Sequence, residues 1–236
     1  MKHTLITLIS FLLLVACNKK ESKGNLHITG NIKGLKKGTL YIQKIKDTSL
    51  VAVDTIQIDG NSNFVSNLDI ESPEMYYLFL DRGVTNSLDN NLPFFAEEGN
   101  INIETSLEYF LSDSKITGSK NHDKYEEFKK INSRFNDENL SLLEIKFRDY
   151  KNHRIKSVDS IEMIQKNNLK RKYLYVTNFA LNNKDYEIAP YLALTEISNI
   201  NLKYLDTIQK SMSPKVAKST YGKKLKQYYK ERKDQE

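Results

Sequence analysis

The hydrophobic period of this chain changes once, near residue 120, and that change constrains the fold more than any other feature. Before it, apolar residues alternate in short runs separated by turn signals. After it, they recur every three to four residues along glycine-poor stretches. Leu26, Ile28 and Ile32 share one parity, interrupted by Gly30, and Leu40 and Ile42 alternate with Tyr41 beyond Gly34 and Gly38. In the run Leu50 to Ile58, Val51 and Val53 are odd but Ile56 and Ile58 are even, which predicts a bulge or a change of sheet near Asp54-Thr55. Asp59-Gly60-Asn61 is a turn signal, and Phe64, Leu68 and Ile70 resume a strand beyond it. Met75 to Leu80 is apolar at nearly every position, as a strand covered on both faces requires. Pro93-Phe94-Phe95-Ala96 and Ile101-Asn102-Ile103 form two more short strands about Gly99. The pattern reads as α+β: an antiparallel β-sandwich or barrel-like domain over 26–120, then a helical bundle over 121–236.

Helix signals in the second part are local. Ser119 or Asn121 caps a helix carrying Tyr125, Phe128, Ile131 and Phe135, and a second spans Asn139 to Asn152 with Leu143, Phe147 and Tyr150 on a stripe. Ser157 or Asp159 caps a third, with Ile161, Ile164, Leu169, Tyr173, Val176 and Phe179, ending by Asn182-Asn183. Glu187 to Asn199 carries Pro190 in its first turn, where a missing N–H costs nothing. Leu202 to Ser211 follows, and Ser213-Pro214 opens a last helix through Tyr221, Leu225 and Tyr228.

The N-terminus gives an address. Lys2 precedes an apolar stretch, Leu5 to Val15, too short for a bilayer core of about 30 Å. The run Leu14-Val15-Ala16-Cys17 resembles a bacterial lipobox. That resemblance implies a signal peptide over 1–17, cleaved before Cys17, and lipidation of the Cys17 sulfur. Two or three acyl chains hold a protein at a membrane where one does not. Residues 18–25 read as a polar, flexible tether. The expected location is the cell envelope, with Asn18 after the cysteine favouring the outer membrane over the inner.

Cys17 is the only cysteine, so with the sulfur acylated there is no thiol for a disulfide, a CxxC pair, a thiolate metal site or a nucleophile. His3, His27, His122 and His153 stand apart in sequence, without HExxH or comparable spacing. Asp59-Gly60-Asn61-Ser62-Asn63 begins like a calcium loop, but position twelve is Ile70, and a hairpin turn is the better reading. Glu97-Glu98 before Gly99 reads as a solvated turn rather than an acid–base pair. No nucleotide loop or serine elbow is present. No cofactor, metal or catalytic residue is expected.

Charge is uneven. Residues 18–120 carry 11 Lys/Arg against 14 Asp/Glu, and residues 121–236 carry 24 against 16, within a formal net charge of +6. Solvated lysine-rich helices account for the excess, and nucleic acid is not an expected partner. Two candidate contact surfaces remain. One is aromatic: Tyr76, Tyr77, Phe94 and Phe95, with Tyr41, for which core packing is the alternative use. The other is Lys218 to Lys233, where lysines alternate with Tyr221, Tyr228 and Tyr229, suited to anionic lipid or an acidic partner, with a solvated helix as the alternative.

The stretches Ile28-Thr29-Gly30-Asn31-Ile32-Lys33-Gly34-Leu35, Gly38-Thr39-Leu40-Tyr41-Ile42, Asp54-Thr55-Ile56 with Gly60 and Phe64, and Pro73-Glu74-Met75-Tyr76-Tyr77-Leu78 together resemble a β-rich domain of unknown function. That domain sits at the N-terminus of membrane-anchored thiol–disulfide interchange proteins. The helical part, with Ala189-Pro190-Tyr191 and Ser219-Thr220-Tyr221-Gly222, resembles the connector before their thioredoxin fold. The resemblance rests on turn and core residues, and no CxxC follows, so no redox residue carries over. It implies a non-enzymatic, lipid-anchored envelope protein of binding or scaffolding type, with an envelope protein, including a separate thioredoxin-like one, as partner. The alternative is a binding protein for a small molecule, glycan or peptide in a cleft between the two parts.

Overall fold

The computed structural model describes residues 24–83 and 88–235. The signal segment, Cys17 and the tether up to residue 23 lie outside these. Eight strands come first: β1 Leu26–Lys33, β2 Lys37–Lys46, β3 Ser49–Asp59, β4 Asn63–Leu68, β5 Glu74–Asp81, β6 Asn91–Ala96, β7 Gly99–Ser106 and β8 Lys115–Thr117. They form two four-stranded sheets, ordered β4-β1-β7-β8 and β3-β2-β5-β6, packed as a sandwich. All pairings are antiparallel except β1 with β7, which run parallel.

The parity flip in β3 has a physical cause. Ile42 pairs with Asp54 but Gln43 with Ala52, so Val53 is the extra residue of a bulge. Beyond it Ile56 and Ile58 share the inward face with Leu40 and Ile42. The Asp59–Asn63 turn, with Gly60 at positive φ, then passes the chain to the other sheet. There Ser66 Oγ donates to Asp54 Oδ2 across the corner at 2.5 Å. Gly30 interrupts the β1 pattern because a Cβ there would lie 2.3 Å from the Phe64 ring and 2.4 Å from Ile103 O.

Six helices follow: α1 Lys120–Lys151, α2 Ile155–Asn182, α3 Ile188–Thr195, α4 Leu202–Ser211, α5 Pro214–Lys218 and α6 Thr220–Gln235. Ser119 caps α1, its Oγ accepting from His122 N. The expected break between Phe135 and Asn139 does not occur, and α1 is continuous over 32 residues. Its asparagines face α2 instead of ending the helix: Asn139 Oδ1 accepts from Gln165 Nε2 at 3.2 Å and Asn136 Oδ1 from Lys172 Nζ at 3.4 Å. Nor does Ser157 or Asp159 cap α2, which begins two residues before Ser157; the Ser157 hydroxyl donates to Asp149 Oδ2. The last expected helix is two, divided at Ser219.

Two cores result. One fills the sandwich, with Leu26, Ile28, Leu40, Ile42, Leu78, Leu80, Phe94 and Ile103 among its members. The other lies on the outer face of the second sheet, where Met75 and Phe95 join Phe128, Val176, Phe179, Leu192, Leu205 and Leu225. β5 and β6 belong to both, so Met75–Leu80 reads as doubly covered for a structural reason. The far half of the α1–α2 hairpin contributes to neither: Phe147 is 68% and Tyr150 71% exposed. Among the described residues no helix is long and apolar enough to cross a membrane.

Candidate functional site

The aromatic residues singled out from sequence divide between the two cores. Tyr76 and Phe94 point into the sandwich and are buried there, 6.1 Å apart edge to face. Burial, reinforced by the Glu74 carboxylate, pushes the Tyr76 hydroxyl up to about 12. Phe95 points outward and is wholly buried under the helices, with Tyr191 at 5.5 Å and Tyr221 at 6.1 Å. Tyr77 is half-buried beside it. Tyr76, Phe94 and Phe95 therefore present no surface to a partner; an apolar ring gains more by burial in a core than by exposure. Tyr41 stacks on Phe79 on the same outer face. Tyr228 is half-buried, its hydroxyl donating to Ser198 O at 3.1 Å, and Tyr229 is half-buried on the flank of α6.

The junction is latched by polar contacts around this packed centre. Met75 N donates to Tyr221 Oη at 3.0 Å, and Phe95 N to His122 Nδ1 at 3.4 Å. Phe95 N belongs to the edge strand β6 and Met75 N to β5 beyond its register with β2, so both amides find partners on helices where the ladder supplies none. At the start of α6, Thr220 N and Ser72 Oγ bond at 3.1 Å, and Thr220 Oγ1 donates to Glu74 Oε1. Desolvation holds the Tyr125 hydroxyl up at about 12, with Tyr77, Glu196 and Glu126 adding, and raises Tyr191 and Tyr221 as well.

One side of the junction is open. A cleft of about 390 Å³ lies between Asn25, the segment before β5, the β6–β7 turn, the start of α3 and helix α5. Glu71, Glu97, Glu98 and Glu187 line it, opposed by Lys215 and Lys218. Glu97 is not the solvated turn residue its position suggests. Its Oε2 accepts from Ser119 Oγ and Asn121 N, both at 3.0 Å, and from Asn121 Nδ2 at 3.3 Å. A carboxylate there meets the unpaired amides and positive dipole end of α1. Glu98 beside it is exposed.

Asn121 also reaches the far wall. Its Nδ2 donates to Glu187 Oε2 at 2.9 Å, and its Oδ1 accepts from Ile188 N at 2.9 Å. One amide therefore joins both carboxylates and the first turn of α3. Glu187 Oε1 is buried with no hydrogen-bond partner, on a side chain that is only 2% exposed. The nearest cation is the ammonium of Lys215, 4.0 Å away on a side chain that is 77% exposed. Such an oxygen is costly unless a donor reaches it. Among the described residues no group of three histidine or acidic side chains is placed to hold a metal ion.

A two-sheet sandwich bearing a helical layer, with a polar cleft at their seam, is the class these features define. Within it, residues 26–125 match the family model described as a domain of unknown function (DUF4369). No curated protein matches the chain. Among solved structures, transthyretin from Sparus aurata aligns at 15% identity and a TM-score of 0.29, covering 40% of this chain and 97% of that one. Sea bream transthyretin in complex with thyroxine aligns at 12% and 0.28, covering 41% and 97%. Scores this low carry nothing about ligands.

Proposed function

We propose that this chain is a lipid-anchored, non-enzymatic protein of the bacterial cell envelope that holds a cationic group in the cleft between sandwich and helices. The address comes from the lipobox-like run ending at Cys17. The binding role is supported by one observation: Glu187, in the wall of the cleft, has a buried carboxylate oxygen, Oε1, without a hydrogen-bond partner. An ammonium or guanidinium group supplies both the charge and the donor that this oxygen needs. Lys215, whose side chain is largely exposed, is the group such a ligand displaces. The four carboxylates against two lysines keep the cleft net negative.

Isothermal titration of cadaverine and of an arginine-bearing tripeptide into the purified protein tests this. At least one binds wild type, and Glu187→Gln weakens it more than tenfold, as loss of a buried charged partner does. A wild-type protein that takes up neither refutes the reading. Fatty-acid labelling that requires Cys17 tests the anchor separately.

A second reading is a rigid scaffold for another envelope protein, such as a thioredoxin-like one. The tight aromatic centre of the junction, Phe95 with Tyr191, Tyr221 and Tyr125, favours it. Repeated cross-linking from intact envelopes that returns no constant neighbour counts against it.

A further inference from the structure

We infer that the lysine stripe of α6 docks on the anionic headgroup layer of the membrane that holds the chain, an inference that rests on the lipid-anchor reading. Lys223, Lys226, Lys230 and Lys233 fall at i, i+3, i+7 and i+10, so one helical flank carries all four. At 1.5 Å per residue they span about 15 Å. All four are exposed, and they line a shallow groove of about 660 Å³ with Tyr229 and a single carboxylate, Asp234. Among the described residues none is paired with a carboxylate, whereas Lys210, on neighbouring α4, is held by Asp206 at 2.5 Å. Over the whole of α6 six basic residues face two acidic ones.

Position adds to charge. Lys218, just before α6, and Asn25 line the same cleft, so the segment from Cys17 joins the body beside the root of the stripe. The eight residue steps from Cys17 to Asn25 reach at most about 28 Å, and α6 is about 24 Å long. A bilayer holding Cys17 is therefore within reach of the start of α6, where the stripe begins. Phosphate headgroups match the ammonium groups, and the half-buried Tyr229 supplies the amphipathic ring that sits at such an interface. A soluble acidic polymer shares the charge but not the tether, so the membrane is the occupant these observations favour.

The chain has no tryptophan, which allows a single reporter. Gln227→Trp on the stripe and Val65→Trp on the sandwich, 54% exposed, are each placed in full-length Cys17→Ser protein, which removes the anchor. The probes are vesicles of phosphatidylglycerol with phosphatidylcholine, and vesicles of phosphatidylcholine alone. The Gln227→Trp emission shifts blue with the anionic vesicles only, and salt at roughly 0.5 M abolishes the shift. Adding Lys226→Gln and Lys230→Gln weakens binding roughly 25-fold, about fivefold per lysine. Equal shifts on neutral vesicles, or at Val65→Trp, overturn the proposal. So does tighter binding to soluble polyglutamate, which reassigns the stripe to an acidic macromolecule. A wild-type chain that is not acylated in cells, while the Gln227→Trp protein still binds anionic vesicles, removes the anchor and leaves the stripe.

Discussion

The two faces of the β3-β2-β5-β6 sheet bury similar aromatic mass under different rules. Inward, Tyr76, Leu78, Leu80 and Phe94 meet the aliphatic side chains of the opposite sheet in a core that is almost wholly apolar. Outward, Met75, Tyr77 and Phe95 meet tyrosines and the polar ends of helices, and three of the buried unsatisfied oxygens, on Asn132, Asn168 and Glu187, lie on that helical side. The inner face is what makes a sandwich fold. The outer face carries the seam, its latches and its cleft, because polar groups that must be satisfied pairwise specify one docking geometry where apolar packing tolerates several.

Phe95→Ala is the strongest blow to this division. The ring is fully buried between Tyr191 and Tyr221, and its loss costs about 3–5 kcal/mol. The helical layer loses its central contact while the inner core is untouched. Denaturant unfolding followed by far-ultraviolet circular dichroism should split into a helical and a later β transition. A single cooperative loss would show that the two faces act as one unit.

Asn121→Leu is next, at about 2–3 kcal/mol, because it leaves Glu187 Oε2 and Ile188 N buried and unpaired. Adding Glu187→Leu to it should recover part of the loss, since the partner left bare is removed as well. Urea midpoints of the two single variants and the double variant measure that coupling.

These residues also show where reading the sequence stops. The strands and the first helix cap were legible because they are local: the parity flip near Asp54 marks the Val53 bulge, and Ser119 caps the helix it precedes, whereas neither Ser157 nor Asp159 caps the next one. The continuity of α1 was not legible, since Asn136 and Asn139 look like a helix end until α2 supplies their partners. The parallel pairing of β1 with β7 was equally hidden, because it joins segments some 70 residues apart. Glu187 meets Asn121 across 66 residues, and an acidic residue at the start of a short helix is ordinary by itself. The candidate site is therefore tertiary in origin, and only its individual helix ends had a sequence signal.

The seam also carries a buried imidazole. His122 is buried, and desolvation lowers its proton affinity; Lys129 acts in the same direction, while Glu126 and Asp123 oppose it. Nδ1 accepts from Phe95 N, and Nε2 lies 3.4 Å from Glu126 Oε1, which assigns the neutral tautomer with its proton on Nε2. A proton on Nδ1 would face the Phe95 N–H. The unfolded chain therefore binds the proton more readily, near pH 6.5. Stability is indifferent to this group above that value and falls as the pH drops from it toward the lower folded value. His122→Gln should flatten the slope of thermal stability between pH 7 and 5. An unchanged slope would move the titration to other groups.

The smallest effect is expected where the helical hairpin leaves the seam. Phe128 and Phe147 lie on the same helix, but Phe128 is 1% exposed against the Tyr175 and Phe179 rings, whereas Phe147 is 68% exposed. Phe128→Ala should approach the cost of Phe95→Ala. Phe147→Ser should stay within about 0.5 kcal/mol, as exposed substitutions away from caps and partners do. Burial in the outer core, not residue type or helix membership, then separates the two phenylalanines. If Phe147→Ser lowers the urea midpoint as far as Phe128→Ala does, the far half of the hairpin is covered in solution, and concentration-dependent sedimentation of wild type would show whether a second copy covers it.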